Sequence, residues 1–453
     1  MAASTGDSTA SSCILGFPNG LARRSYLLGD ICGLREWLNK YGVSLNILET
    51  SEALGNVSGG INRGAEYDGL TQFSLQLDTQ RAFHWYGGTF NASGLQIHGQ
   101  NLSADILYTL QTASGIESNR ATRLWELWYD QKFDKEGQYD IKIGQQSLDQ
   151  EFMVSQNALL FVNTMFGWPM VPSADMPGGG PAYPLSALGV RAHIRPANSW
   201  TLLAGVFNGS PAAQNADDAQ EQNSSGTNFR VNDGVLAIAE LQFAYPSMGA
   251  TVRPGKKTPL ARTYKLGAWY DTEDFADQQF DNAGLSLADP SSAGIAKTHH
   301  GNYALYAVAD QMLWSDPQEY DRTLNFFVRP MGTPRGDRNL IDFSVNAGFT
   351  FTEPIMHRDD DTFGIAMGYA HVGSGASALD KDYGRFTNTG YPVRSGETFV
   401  EASYQYQIAP WWQVEPDFQY VFNVGGGITN PNSPSGEHVK NEAVLGLRMN
   451  IAF

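Results

Sequence analysis

From Val43 onward the chain alternates polar and apolar residues in runs about as long as a tilted, membrane-crossing strand, ~10 residues. Val43, Leu45 and Ile47 alternate with Ser44 and Asn46; Phe73, Leu75 and Leu77 with Gln72, Ser74 and Gln76; Trp125, Leu127 and Tyr129 with Glu126 and Asp130. Period two with a polar residue at every second position predicts half-buried strands. Sixteen are expected, at about 43–53, 67–78, 93–102, 123–133, 139–146, 187–196, 200–208, 234–244, 263–271, 302–313, 322–331, 340–351, 362–372, 397–408, 412–423 and 442–453. An even number of such segments is what a bacterial outer-membrane barrel requires.

Three strands show which face is wet. Tyr139, Ile141 and Ile143 oppose Asp140, Lys142 and Gln146; Leu188, Val190, Ala192 and Ile194 oppose Arg191, His193 and Arg195; Val414, Phe418 and Tyr420 oppose Gln413, Glu415, Asp417 and Gln419. Aromatics gather toward strand ends, as in Trp269-Tyr270 and Trp411-Trp412. A polar lumen inside a lipid-facing band accounts for both observations. The last segment alternates Ala443, Leu445, Leu447, Met449, Ile451 and Phe453 against Gly446, Arg448 and Asn450, and ends on an aromatic carboxy-terminus, as bacterial outer-membrane barrels do.

Charge narrows the function. Lys and Arg total 30 against 47 Asp and Glu, a net −17, with no basic stripe of the kind phosphates demand, so a nucleic-acid partner is not expected. No apolar run approaches the roughly 18 residues of a spanning helix. The start, AASTGDSTASS after Met1, has neither the basic nor the apolar region of a signal peptide, so an exported chain would have lost its targeting segment already.

The chain divides into an N-terminal segment, 1–42, and a barrel, 43–453. Residues 1–27 are small and polar. ICGLREWLNKYG then predicts a short helix at the periplasmic end, with Asp30 as N-cap, Ile31, Leu34, Trp37 and Leu38 on one face, and Gly42 as the stop. Cys13 and Cys32 are a disulfide candidate; closing the intervening loop would stabilise by about 3 kcal/mol, and two unpaired thiols are an equal alternative. Residues 147–186 interrupt the strand rhythm with Phe161, FGWP at 166–169 and MPGGGPAYP at 176–184. A connection of this length is usually functional, and in a barrel it can fold inward and narrow the lumen. Residues 209–233, 272–300 and 373–396 read as exposed loops.

Several segments then resemble one family. LLGDICGLREWLNKYGVSLNILETSEALGNVSGG at 27–60 is similar to the start of the OprB-type carbohydrate-selective porins. RLWELWYDQKF at 123–133, IKIGQQSLDQEFMVSQNALLFVNTMFGWP at 141–169, PGGGPAYPLSALGVR at 177–191 and EPDFQYVFNVGGG at 415–427 look like further segments of it. The resemblance implies a sixteen-stranded antiparallel transmembrane β-barrel in the outer membrane, with an inward constriction loop and a narrow eyelet that passes monosaccharides. The family's GDWGGLR reads GDICGLR here, and the strand ending Gly144-Gln145-Gln146 lacks the Arg that some relatives carry after that Gly. Eyelet charges are therefore not carried over.

Sugar passage needs side chains that replace hydroxyl hydration and aromatic faces for the ring's C–H side. The alternation nominates Glu52, Glu126, Asp130, Lys142, Arg191, His193 and Arg195 as lumen charges, with Phe166, Trp168 and Tyr183 as loop platforms; each is also explicable as ordinary lumen wall or loop packing. The expected partners are monosaccharides such as glucose together with outer-membrane lipid and lipopolysaccharide, and a homo-oligomer is compatible. No H-E-x-x-H, G-x-S-x-G or G-x-x-x-x-G-K-[ST] occurs. His299-His300 should point opposite ways in a polar loop, and the acidic loops at 272–282 and 358–361 lack calcium-ligand spacing. No enzyme activity, cofactor or metal is expected. The competing reading is a secreted all-β glycan-binding protein or glycoside hydrolase.

Overall fold

The structure is a computed structural model that describes residues 24–213, 218–247, 259–317, 322–388, 390–433 and 437–453. Cys13 lies outside the described residues, so the Cys13 to Cys32 pairing falls outside them too.

Sixteen antiparallel strands close into one ring in which β1 pairs with β16. The first eight are β1 Val43–Ser58, β2 Gly64–Asp78, β3 Gly88–Gly99, β4 Ala121–Lys132, β5 Tyr139–Gln146, β6 Ala187–Ala197, β7 Trp200–Asn208 and β8 Val235–Tyr245. The remainder are β9 Arg262–Asp281, β10 Ala296–Ser315, β11 Thr323–Gly332, β12 Ile341–Thr352, β13 Thr362–Val372, β14 Gly396–Ala409, β15 Trp412–Phe422 and β16 Glu442–Ala452. Closure gives every strand two neighbours, so the wall has no edge strand, which a hydrocarbon environment requires. Outward Ile141, Ile143, Leu445 and Leu447 are exposed, while Asp140, Lys142, Glu415 and Asp417 beside them face inward and are buried. One end carries short turns, such as 198–199 and 410–411, together with the last strand's terminus; the other carries long connections at 100–120, 147–186, 209–234 and 373–395. Short periplasmic turns opposite long external loops give the barrel its orientation.

The structure corrects several expectations. Strands β9 and β10 run on well past their neighbours, so most of 272–300 is a protruding hairpin rather than loop, and His299 and His300 stand on β10, facing Asp277 at 2.8 Å and Asp274 respectively. Residues 373–396 contain a helix, Ser374–Thr387. The N-terminal helix begins later, at Leu34–Lys40, capped by Gly33, because Ile31 and Cys32 take left-handed backbone. Asp30 still reaches it, accepting the Glu36 N–H at 2.9 Å. This helix buries Arg35 rather than its apolar face: the guanidinium donates to the Leu45 and Phe453 carbonyls, while Trp37 is exposed.

The lumen is not polar throughout. Phe207, Leu236, Trp269, Tyr306, Phe327 and Phe399 point inward from β7 to β14 and form one core with Phe152, Met153, Phe161, Met165, Phe166 and Trp168 of the 147–186 loop. That loop therefore fills part of the barrel and packs on an apolar half of its wall. Phe399 lies flat over Gly368 on the next strand, where a Cβ would sit 2.2 Å from the ring.

Candidate functional site

A loop inside a barrel brings backbone N–H and C=O groups away from bulk water, and each needs a partner. The wall supplies them. Glu240 on β8 accepts the Met153 N–H at 2.8 Å, Asp310 on β10 accepts the Ser155 hydroxyl at 2.6 Å, and Glu401 on β14 accepts the Val162 N–H at 2.5 Å. Arg329 on β11 is fully buried and donates to the carbonyls of Met153 at 2.8 Å, Met165 at 2.5 Å and Phe166 at 2.9 Å. Asn163 caps the single helical turn Thr164–Gly167 by accepting the Met165 N–H at 3.0 Å.

A second connection, 100–120, also turns inward, which the sequence reading missed. Leu110 and Gln111 N–H donate to Glu397 at 3.0 and 2.8 Å, and Gln419 donates to the Ala113 carbonyl at 2.8 Å. The two loops join in the lumen, with Gly115 N–H on the Val162 carbonyl at 2.8 Å and Thr164 N–H on that of Thr112 at 3.1 Å. Burial of the polar residues Gln111, Ser114 and Glu117 gives this loop away in space, but their types carry no sequence signal.

Strand register then assembles a charged row. Asp130 pairs across with Lys142, Lys142 with Arg191, and Asp140 with His193, so these side chains share the inward face of β4, β5 and β6. Glu151 reaches them from the long loop, ion-paired to Lys142 and lying 2.6 Å from Arg191 Nε. Asp140 pairs with Arg191 and lies 2.9 Å from His193 Nδ1. Glu126, on the same strand as Asp130, accepts the Ser147 N–H at 3.1 Å where the loop begins. The Lys142 ammonium stands 4.4 Å from the Trp128 ring centroid. A register shift at Trp125 turns both Trp125 and Glu126 inward, and Trp128 follows on the inward face between Glu126 and Asp130. Strict alternation predicted Trp125 on the lipid side and did not single out Trp128.

The other nominated residues separate from this row. Glu52 lies with Arg448 and Glu415 on β1, β16 and β15, 2.5 Å from Arg448 Nε, and also accepts the Ser114 hydroxyl. Arg195 sits at the short-turn end, its N–H on the Gln138 carbonyl at 2.8 Å and its guanidinium on that of Glu136. Phe166 and Trp168 are 1% and 6% exposed, so neither ring offers a face to a passing solute; both pack the loop on the wall, and Trp168 Nε1 donates to the Gly179 carbonyl at 2.9 Å. Tyr183 joins the two loops, its hydroxyl donating to the Ile116 carbonyl at 2.9 Å and its ring meeting Trp125 edge-on at 6.4 Å.

A narrowed, charge-lined lumen inside a sixteen-stranded ring is a channel architecture, and comparison with known proteins specifies the kind. The profile of the carbohydrate-selective porins, OprB family, matches residues 62–453. The chain belongs to the OprB family. Porin B of Pseudomonas aeruginosa is 24% identical over 450 residues, which cover 94% of this chain and 91% of that protein. The high-pH structure of Pseudomonas putida OprB superposes with a TM-score of 0.81 at 21% identity, covering 95% of this chain and 99% of that one. This OprB-family protein is therefore a carbohydrate-selective porin of the outer membrane, in a family that is non-enzymatic, and the secreted glycan-binding or hydrolase reading is set aside.

Proposed function

We propose that the passage selects single sugar rings, with glucose as the type substrate, and that the row Asp130, Lys142, Arg191 and Asp140 facing Glu151 is its selective element. The observation that carries this reading is that Lys142, Arg191, Asp140 and Glu151 are already ion-paired with one another across β5, β6 and the loop, with Asp130 opposite Lys142 on β4. Paired charges present donors and acceptors to hydroxyl groups while leaving little net field for an ion. Trp128, beside Lys142, supplies the one ring of this row suited to a sugar's C–H face. Glu126 holds the root of the loop, and Glu52 with Arg448 supplies a second polar patch. Residues 43–453 act as the channel unit and 1–42 as an appended segment. The outward belt contacts lipid and lipopolysaccharide, and self-association would be read from the mass of the detergent-solubilised protein.

Liposome swelling with the purified protein tests the reading, comparing glucose and xylose with disaccharides and with neutral amino acids of matched size. Faster entry of monosaccharides than of matched amino acids is expected. Entry graded by size alone would leave a general pore, and no entry would remove the reading.

A further inference from the structure

A separate cavity of about 410 Å³ opens at the long-loop end. It lies between the end of the 147–186 loop, the protruding part of β9, the 209–234 connection and residues 338–340, away from the charged row on β4 to β6. Its volume falls within the range of small-molecule sites, about 300–1,000 Å³. Its lining is mixed: Asp175, Ser210, Asp274, Gln278 and Arg338 are polar, with Asp274 paired to His300, and Phe275 is largely buried beneath them.

Asp175 is the informative residue. It is only 7% exposed; one carboxyl oxygen accepts the Ile341 N–H at 3.3 Å, and Oδ2 has no hydrogen-bond partner among the described residues. Buried polar atoms are seldom left this way unless something else fills the role. Burial pushes the Asp175 carboxyl well above its usual range, and a carboxyl group pairs with a hydroxyl in either protonation state. Arg338 is held in place by Asp337 at 2.9 Å and the Gly301 carbonyl at 2.6 Å, which leaves its charge compensated. Carboxyl groups, a carboxamide, a hydroxyl and a compensated guanidinium supply the acceptors and donors that a neutral polyhydroxylated ring uses.

We propose that this cavity is an outer capture site that holds one monosaccharide before it enters the charged row. The proposal rests on the monosaccharide reading above and adds a second, external binding step to it. Asp175 and Glu151 belong to the same 147–186 loop.

Single-channel current recording in planar bilayers tests it, with glucose added on the long-loop side. Two populations of blocking events are expected for the wild type, and one for Gln278→Trp, which fills the cavity from β9. Should that variant lose the heat-modifiable mobility of a folded barrel, Ala276→Trp fills the same space from the exposed rim and is expected to act alike. A single population in the wild type, or two populations in a folded filling variant, overturns the capture site. Swelling assays on the same wild-type protein separate the two readings. If glucose enters liposomes while the filling variants change nothing, only the capture site fails; if glucose does not enter at all, the monosaccharide reading fails with it.

Discussion

Arg329 on β11 donates to the backbone carbonyl of Phe166 at 2.9 Å, from the opposite wall to the strands that carry the loop. With the neighbouring bonds to Met153 and Met165, one guanidinium closes the carbonyl end of the helical turn Thr164–Gly167. Arg329→Ala leaves several buried carbonyls without donors, at about 1–3 kcal/mol each. The expected result is a barrel that still folds, with a several-fold higher ion conductance and entry of disaccharides that the wild type excludes. Single-channel conductance and swelling check it.

Trp168→Ala should act through the loop and not through lost contact with sugar. Truncating a buried Trp costs about 3–5 kcal/mol, enough to loosen 147–186 on its apolar wall. Discrimination between mono- and disaccharides should fall. Trp128→Ala, in the lumen beside Lys142, should instead raise the glucose concentration for half-maximal flux while disaccharides stay excluded.

Glu151→Gln removes the carboxylate that Lys142 and Arg191 share. Arg191 keeps Asp140, but Lys142 loses its ion-pair partner. Permeability should shift toward anions, read as a displaced zero-current potential across a potassium chloride gradient. No displacement would mean that this row does not line the path.

The 100–120 loop should loosen as the pH rises. Burial raises the Glu117 carboxyl from 4.5 to about 8, where it accepts the Ser103 N–H and hydroxyl. The packed loop therefore holds a proton that the released loop gives up: its stability is full below about 4.5, declines through the interval and is lost as the pH passes about 8. Hydrogen exchange of residues 100–120 should rise over that window in the wild type and stay flat in Glu117→Gln.

The strands were legible wherever lipid forced one face to be apolar while the other met polar lumen, as along Tyr139–Gln146 and Trp412–Phe422. Alternation fades where the inner face is apolar as well. On β11, Phe327 and Met331 point inward with Phe326 and Val328 alternating beside them, so period two marks a strand without saying which side is wet. The register shift at Trp125 left no composition signal and reversed the assignment of one aromatic. Residues 374–387 escaped because SGASALDKDYGRFT buries little more than Ala376 and Asp380, too few for a helical stripe to show. The charged row was legible as residue types. Its pairing was not, because it depends on which residues face one another across strands and on Glu151 arriving from a loop. The two readings left open for Phe166 and Trp168 could not be separated for a related reason: a loop aromatic looks the same in sequence whether it packs on a wall, as both do, or faces an opening.

The anchors of the 147–186 loop all follow it in the chain. Glu240, Asp310, Arg329 and Glu401 stand on β8, β10, β11 and β14, all downstream of the residues they hold. The loop's seat and the far side of the barrel wall are therefore one structure: the groups that hold the stopper are carried by the strands that complete the ring. A ring missing any of β8, β10, β11 or β14 would be a wider opening with a loose stopper, so the quality of the permeability barrier follows from completeness of closure.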